Sequence, residues 1–449
     1  MLNKIKELYS SENTRSQLMK KNIIQGAGVR GISILTSLLL VPMTIGYISS
    51  ELYGIWLTLY SVIQWLSFFD IGFGNGLRNK LGEAVALKKF CLGKIYVSST
   101  YFVLSFIFIP LGGMCFFLAP FVNWTEFLNI DVKYNDVLVS TARIIAVSFC
   151  VQMILKLIQN VALAYQMSAF SSFLDMIGQV FSLFFIYMLT VTMEPELTNV
   201  ALVFCFTPLF AFLLASIACY STIFKAVAPN FLYINTKAVR KVFNLGGEFF
   251  VIQVAALILF QMINILISRM SGPEMVTSYN IAYKYLSTAL MFVSIILTPS
   301  WSAFTDAYVK RDIAWMTNIY KRFIQIFLIV AFVIFICVAV SPWVYMVWIG
   351  DKADIPLGIT VVVGIYMCIF VWCNFHAYII NGTGKIKFQL YTAVVMMIVF
   401  LPMAIGLGNL YGIYGILWAM ILINLPGVFY GRYQVKRLIT FTAKGIFDE

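Results

Sequence analysis

The chain has few charged residues: Asp, Glu, Lys and Arg make up 11% of its 449 residues, against about a quarter in soluble domains. It has one histidine, His376, too few for a site built from several imidazoles. Its eight cysteines include no Cys-x-x-Cys pair, and seven lie in apolar runs, which indicates small apolar fillers. No hydrolytic triad, metal cluster or phosphate-binding loop stands out. We therefore predict no catalytic residue, no metal site and no cofactor.

What the chain does have is long apolar segments. Hydrophobic residues make up 61% of it, and the mean hydropathy is +0.90. A bilayer-spanning helix needs roughly 20 mostly apolar residues, and about a dozen such runs are present. They span residues 22–46, 52–76, 95–120, 140–163, 172–192, 199–224, 246–270, 279–300, 320–345, 357–380, 389–408 and 411–434. The sequence therefore predicts an all-α polytopic membrane protein with about 12 transmembrane helices.

The basic residues lie on one side of these spans. Of 31 Lys and Arg, 24 fall in the N-terminal arm, the even-numbered loops and the C-terminal tail, and four lie in or beside the odd-numbered loops. Cytoplasmic loops carry the excess of Lys and Arg, so both termini are predicted to be cytoplasmic. The net charge of +12 is spread over six short segments, which favours an anionic membrane surface over nucleic acid as the partner.

The most polar internal connection, residues 225–245, separates six predicted helices from six. It predicts two lobes, residues 1–225 (helices 1–6) and residues 226–449 (helices 7–12). Glu51–Tyr60 and Glu274–Tyr283 share two identities in ten at the start of the second helix of each half, a faint sign of an internal repeat. Repeated halves with a substrate site between them are typical of transporters.

Basic residues inside apolar spans need an explanation, because an ionised side chain at mid-membrane costs about 2.5–3.5 kcal/mol. Arg30 and Lys284 each lie on a polar stripe of a helix and predict a cavity that binds substrate. Lys156, Arg143 and Arg269 are further substrate-binding candidates, although they lie where a side chain can instead reach the membrane surface.

Three acids lie within or beside the spans: Asp70, Asp175 and Glu248. A carboxylate in apolar surroundings can carry a proton or bind Na⁺, so these are the ion-coupling candidates. Asp175 comes first, because it shares a helix face with Gln179. The alternative is that all three only pair with basic loop residues. Five basic groups against three acids favour an anionic substrate, and Arg binds phosphate oxygens in pairs.

Several motifs carry a family likeness along nearly the whole chain. They are Leu52-Tyr-Gly-Ile-Trp56, Phe69-Asp-Ile-Gly-Phe-Gly-Asn-Gly-Leu-Arg-Asn-Lys80, Phe249-Phe-Val-Ile-Gln253, Gly272-Pro-Glu274, Thr298-Pro-Ser-Trp-Ser-Ala-Phe-Thr-Asp-Ala307 and Asn381-Gly-Thr-Gly-Lys-Ile-Lys387. With them the chain resembles the Wzx-type oligosaccharide flippases of the multidrug/oligosaccharidyl-lipid/polysaccharide (MOP) transporter superfamily. Within the second motif, Gly72–Gly76 is predicted to form a helix terminus.

The resemblance implies two six-helix lobes around a central cavity in the bacterial inner membrane. It also implies secondary transport of undecaprenyl-diphosphate-linked oligosaccharide from the cytoplasmic to the periplasmic leaflet, next to the polysaccharide polymerase machinery. Arg30 fits a basic cavity residue that meets the sugar or diphosphate. Two alternatives stay open: a cation-coupled multidrug exporter of the same superfamily, and a membrane-embedded polysaccharide polymerase or glycosyltransferase. The short odd-numbered loops argue against the second.

Overall fold

The computed structural model is helical over the part of the chain that it describes, and contains no strand there. The described residues are 12–48, 52, 53, 55, 56, 59, 70–128, 132–348 and 355–448. Within them, 11 helical segments are long and apolar enough to cross a membrane. The predicted all-α polytopic class is therefore confirmed. The remaining predicted span, residues 52–76, lies mostly outside the described residues.

The chain divides into two compact units, Met1–Gly247 and Glu248–Glu449. The helices ahead of the division are α1 (Glu12–Ile48), α2 (Asp70–Ala86), α3 (Phe90–Leu118), α4 (Trp124–Leu128), α5 (Asn135–Leu155), α6 (Leu157–Ala164), α7 (Ser168–Thr192) and α8 (Leu197–Ser221). The division falls inside α9 (Thr236–Ser271). After it come α10 (Pro273–Val309), α11 (Ile313–Trp348), α12 (Leu357–Thr383), α13 (Lys387–Tyr411) and α14 (Ile413–Ile439). The lobe boundary at residue 225 stays a prediction.

In the first unit, the long helices pack in a continuous series. α1 packs on α7, α7 on α8, α8 on α5, α5 on α3, and α3 on α2, which also contacts α6. One buried cluster joins α2, α3, α5 and α6 around Leu77, Val97 and Ile158. A second joins α1, α5, α7 and α8 around Tyr47, Leu138 and Ile186.

In the second unit, α12 is the central helix. It packs on α10, α11 and α14, and α14 in turn packs on α13. Along α12 the buried side chains include Val363, Met367, Val371 and Phe375, each four residues from the next, which is the spacing of one helix face.

The outer faces of both units are apolar. Phe106 in the first unit and Phe332 in the second are 72% and 63% exposed. Extended apolar surface on a helical bundle is expected where lipid, and not water, covers it.

The helices are longer than the apolar runs predict. α9 begins at Thr236, so the second half of the predicted polar connection 225–245 is helical. The helix starts there because the Asn235 side chain accepts hydrogen bonds from the backbone N–H groups of Lys237 and Ala238, at 2.9 and 3.2 Å, which satisfies two of the donors that a helix start leaves without partners. Hydropathy marks the part of a helix inside the bilayer and misses its polar continuation.

The interpretation of Gly72–Gly76 as a helix terminus was wrong. This segment lies inside α2, which runs from Asp70 to Ala86. A Cβ atom at Gly76 would lie 2.4 Å from the carbonyl oxygen of Val242 and 2.9 Å from the backbone nitrogen of Gly246. The glycines therefore allow α2 to contact the first turns of α9 backbone to backbone, and Phe73 packs on Phe243 beside this contact, with ring centroids 4.6 Å apart.

Candidate substrate and ion-coupling site

Two helices of the first unit, α1 and α7, lie parallel, with the same sequence offset between contacting residues at both ends. The Asn22 side chain accepts a hydrogen bond from the backbone N–H of Ala169 at 3.1 Å. The Tyr47 hydroxyl donates to the carbonyl oxygen of Glu194 at 2.6 Å. Both pairs are 147 residues apart in sequence. Since the helical rise per residue is the same in both helices, every α1 residue between them lies level with the α7 residue 147 positions later.

This register fixes the level of Arg30. It lies level with residue 177, between Asp175 and Gln179. Its side chain is half-buried, on the flank of the α1 stripe that buries Asn22, Gly26 and Thr36. The structure thus brings Arg30 and Asp175, predicted separately, to within about one helical turn of the same level.

Lys156 lies at the junction of α5 and α6. Its backbone N–H donates to Gln152 O, and its carbonyl accepts from Gln159 N–H, both at 2.9 Å. The second bond spans three residues instead of four, which tightens the helix by one short turn. No proline causes this change, and it separates Lys156 from the regular face of α5.

The junction places Lys156 beside Asp175. The Gln159 side chain donates from Nε2 to Ser171 O at 2.9 Å, which fixes α6 against the start of α7. From there Gln159 is within hydrogen-bonding reach of the Asp175 carboxylate, and Lys156 is within its electrostatic range. Asp175 itself is exposed. A predicted substrate residue and a predicted ion-coupling residue thus form one cluster.

Arg143 lies elsewhere in the unit. Its Nε donates to the carbonyl oxygen of Phe116 at 3.2 Å, and its guanidinium lies 5.0 Å from the Phe116 ring centroid. It is 13 residues from Lys156, about 20 Å along the helix axis. These contacts attach Arg143 to the end of α3 and separate it from the Lys156–Asp175 cluster.

The two basic candidates of the second unit are both exposed and stand apart. Asn280 donates to Asn264 at 3.1 Å, and Tyr283 packs on Phe260 with ring centroids 5.2 Å apart. By this antiparallel register, Lys284 of α10 lies close to the level of residue 260 of α9. Arg269, in the last turn of α9, is therefore on the order of 14 Å further along the hairpin.

Of the remaining acids, Glu248 is half-buried on α9, at the start of the second unit. Asp70 is the first residue of α2, and its side chain lies outside the described part of the structure. Asp175 thus lies within electrostatic range of a predicted substrate residue, Lys156.

A cavity of about 380 Å³ inside the second unit was not predicted. It lies among α9, α12, α13 and α14, with Tyr283 of α10 at its edge. None of its described lining residues is Asp, Glu, Lys or Arg. His376 lines it, but both imidazole nitrogens are engaged: Nε2 with the Tyr320 hydroxyl at 3.1 Å and Nδ1 with Trp372 O at 2.8 Å.

The sequence carried a weak signal for this cavity. Asn374 and Asn424 each lie inside an apolar span, and Gln389 lies near the start of another. These amides are uncharged, so they lack the intramembrane charge that distinguishes Arg30 or Asp175 in the sequence.

The fold is that of solved transporters of the MOP superfamily. A MATE transporter in a bent conformation has a TM-score of 0.78 at 13% identity, covering 98% of this chain and 99% of that one. A multidrug resistance MATE family transporter in an outward-facing conformation has a TM-score of 0.74 at 12% identity, covering 97% and 98%. A MOP superfamily transporter from Pyrococcus furiosus has a TM-score of 0.75 at 11% identity, covering 97% and 98%.

The sequence defines the family more closely. The model of the family described as "Polysaccharide biosynthesis protein" matches residues 19–302, and the chain belongs to this family. A candidate O-antigen transporter of Salmonella typhimurium is 22% identical over 450 residues, covering 94% of this chain and 95% of that protein. A candidate O-antigen export protein of Yersinia pseudotuberculosis is 21% identical over 373 residues, covering 80% and 82%.

These findings confirm the expected polysaccharide-biosynthesis family and a fold shared with solved MOP superfamily transporters. The protein is a multi-pass bacterial membrane protein of this family, with the fold of solved transporters.

Proposed function

We propose that the protein is a flippase, and not an enzyme, that moves undecaprenyl-diphosphate-linked oligosaccharide repeat units from the cytoplasmic to the periplasmic leaflet for cell-surface polysaccharide synthesis. The observation that carries this proposal is the match to O-antigen transporters along nearly the full length of both chains. The polysaccharide polymerase machinery would consume the flipped lipid.

The charge of the first unit suits the anionic end of such a substrate. Arg30 and Lys156 are both half-buried; Arg30 lies at the level of Asp175 along the helices, and Lys156 lies within electrostatic range of it. Basic side chains bind diphosphate oxygens. We rank these two first among the substrate-binding candidates. Lys284 and Arg269 are exposed candidates in the second unit, and Arg143 ranks last because its guanidinium is already bonded to Phe116 O.

The Lys156–Asp175 cluster suggests how transport is coupled. While Asp175 is ionised, it neutralises the Lys156 charge and competes with a diphosphate for it. When Asp175 takes up H⁺ or Na⁺, this competition ends and Lys156 can bind the substrate. A carboxylate whose ion binding favours one of two states can bias alternating access. Glu248 and Asp70 remain secondary candidates for the same role.

The orientation proposed here follows the distribution of basic residues. With 24 of 31 Lys and Arg on one side, both termini and the segment joining α8 to α9 are cytoplasmic, and the membrane is the bacterial inner membrane. A reporter active only in the periplasm is expected to be silent when fused after Lys237 and active when fused after Glu194. The opposite pattern would reverse the orientation.

A second function is favoured by the fold neighbours, one of which is a multidrug resistance MATE family transporter. A cation-coupled drug exporter of this fold would need anionic groups to bind its cationic substrates. Efflux of a cationic dye from cells that express the protein, with no effect on polysaccharide export, would support this alternative.

The test of the proposed function is a deletion strain. Loss of the gene is expected to cause undecaprenyl-diphosphate-linked repeat units to accumulate facing the cytoplasm, and plasmid-borne wild-type protein to reverse this. Unchanged surface polymer and unchanged lipid-linked intermediates in the deletion strain would refute the proposal.

A further inference from the structure

The 380 Å³ cavity of the second unit has the size of a small-molecule site. Its walls carry two aromatic pairs. Phe260 and Tyr283 lie 5.2 Å apart between ring centroids, and Tyr366 stacks on Phe370 at 5.7 Å with an interplanar angle of 25°. Aromatic faces of this kind pack against flat apolar surfaces of a ligand.

The polar atoms of the cavity are amides and hydroxyls. Asn374 donates from Nδ2 to Phe370 O at 2.8 Å, and Asn424 donates to Met420 O at 2.9 Å, each on its own helix. An Asn side chain has two donor hydrogens and an acceptor oxygen, so each retains one N–H and its Oδ1 for a ligand. The Thr392 and Tyr430 hydroxyls lie within hydrogen-bonding reach of each other on a further part of the wall.

Gln389 contributes an unsatisfied hydrogen-bond acceptor to the cavity. Its Oε1 is buried and has no hydrogen-bond partner, while its backbone carbonyl accepts from the Thr392 hydroxyl at 2.9 Å. A buried acceptor without a partner costs on the order of 1–3 kcal/mol. A ligand that donates a hydrogen bond at this point would remove that cost, whereas a hydrocarbon chain would not.

The chemistry of the walls narrows the ligand class. With no charged residue in the described lining, a cationic or anionic group would be desolvated there without a counter-charge. An acyl or prenyl chain would leave the amide oxygens without donors. An uncharged ring with hydroxyl groups satisfies both conditions, because its hydroxyls bond the amides and its apolar face packs on the aromatic rings.

We propose that this cavity binds an uncharged sugar residue of the lipid-linked oligosaccharide, an inference that rests on the flippase function. The second unit would then recognise the glycan part of the substrate by uncharged aromatic and amide groups.

Photo-crosslinking tests the proposal directly. Met396→p-benzoylphenylalanine places the probe in the cavity lining, and Val395→p-benzoylphenylalanine places it one position away on α13, where the side chain is 57% exposed. Both proteins are irradiated in cells that make the lipid-linked repeat unit, and the adducts are analysed by mass spectrometry. We expect sugar in the Met396 adduct and only bilayer lipid in the Val395 adduct.

A pair of matched substitutions provides the second measurement. Gln389→Leu removes the buried acceptor, and Gln325→Leu makes the same change at an exposed position of α11 outside the cavity. Loss of one neutral hydrogen bond is expected to lower oligosaccharide transport about two- to tenfold in the first variant. The second is expected to transport at the wild-type rate.

The outcomes separate the two claims. Phospholipid or prenyl adducts without sugar at Met396, or equal transport by the Gln389 and Gln325 variants, would overturn the sugar cavity and leave the flippase function intact. Wild-type protein that moves no lipid-linked oligosaccharide would instead refute the function. A sugar adduct in that case would still establish the cavity as a sugar site.

Discussion

Gly76→Ala tests the contact between α2 and α9. The new Cβ would lie 2.4 Å from Val242 O and 2.9 Å from Gly246 N. Both are backbone atoms, so no side chain can rotate away, and the helices must separate. Overpacking of this kind costs about 1–3 kcal/mol. Since Ala is favoured over Gly in a helix by roughly 0.5–1 kcal/mol, we expect a net loss on the order of 1–2 kcal/mol in the free energy of unfolding.

Gly247→Ala is the matched control. Gly247 lies in α9 next to Gly246, but a Cβ there meets no atom within 4 Å. Only the helix preference remains, and stability is expected to rise by roughly 0.5–1 kcal/mol. The measurement is the midpoint of thermal unfolding of both variants in one detergent. A midpoint for Gly76→Ala equal to or above that of Gly247→Ala would refute the backbone contact.

Three further predictions concern the charged residues. Arg30→Ala is expected to reduce polymer export sharply at normal protein level, whereas Arg30→Lys should retain more export because the charge is kept. The control is Lys20→Ala, an exposed change on the same helix. Equal export by the Arg30→Ala and Lys20→Ala variants would show that Arg30 does not bind the substrate. Lys284→Ala is expected to export less polymer than Lys284→Arg, but the difference should be smaller than at Arg30 because Lys284 is exposed. Full export by Lys284→Ala would show that Lys284 is not part of the site. Asp175→Asn is expected to abolish the dependence of flipping on a pH or Na⁺ gradient in vesicles. The control, Asp136→Asn in the exposed first turn of α5, is expected to keep this dependence. Equal gradient dependence in both variants would show that Asp175 does not couple transport to the ion.

The helical architecture could be predicted because hydropathy reports directly on the bilayer. Each of the 11 described spans overlaps one predicted from an apolar run. The ends could not be predicted equally well. α9 extends ten residues ahead of its apolar run, from 246 back to Thr236, because helix propensity and the Asn235 cap, and not hydrophobicity, determine where it begins.

The sequence predicts only some of the relations among the candidate site residues. Spacing along one helix indicated that Asp175 and Arg30 lie on polar stripes, since both observations are local. The proximity of Lys156 to Asp175 depends on the junction at Lys156 and on Gln159, which bonds across to Ser171 O. A pairing between residues on different helices leaves no periodic signal in a single sequence.

The Gly72–Gly76 interpretation failed for a related reason. Glycines close together usually mark a turn or a helix end. Here they allow the backbones of two helices that are distant in sequence to approach closely. The need for glycine at these positions is visible only when the partner helix is known.

The central claim is tested most directly by flipping of undecaprenyl-diphosphate-linked oligosaccharide in vesicles that contain the purified protein. We expect vesicles with wild-type protein to expose the glycan on the opposite leaflet faster than protein-free vesicles do. Substituting Ala for both Arg30 and Lys156 is expected to remove most of this gain. Equal rates in wild-type and protein-free vesicles, with a cationic dye transported instead, would contradict it.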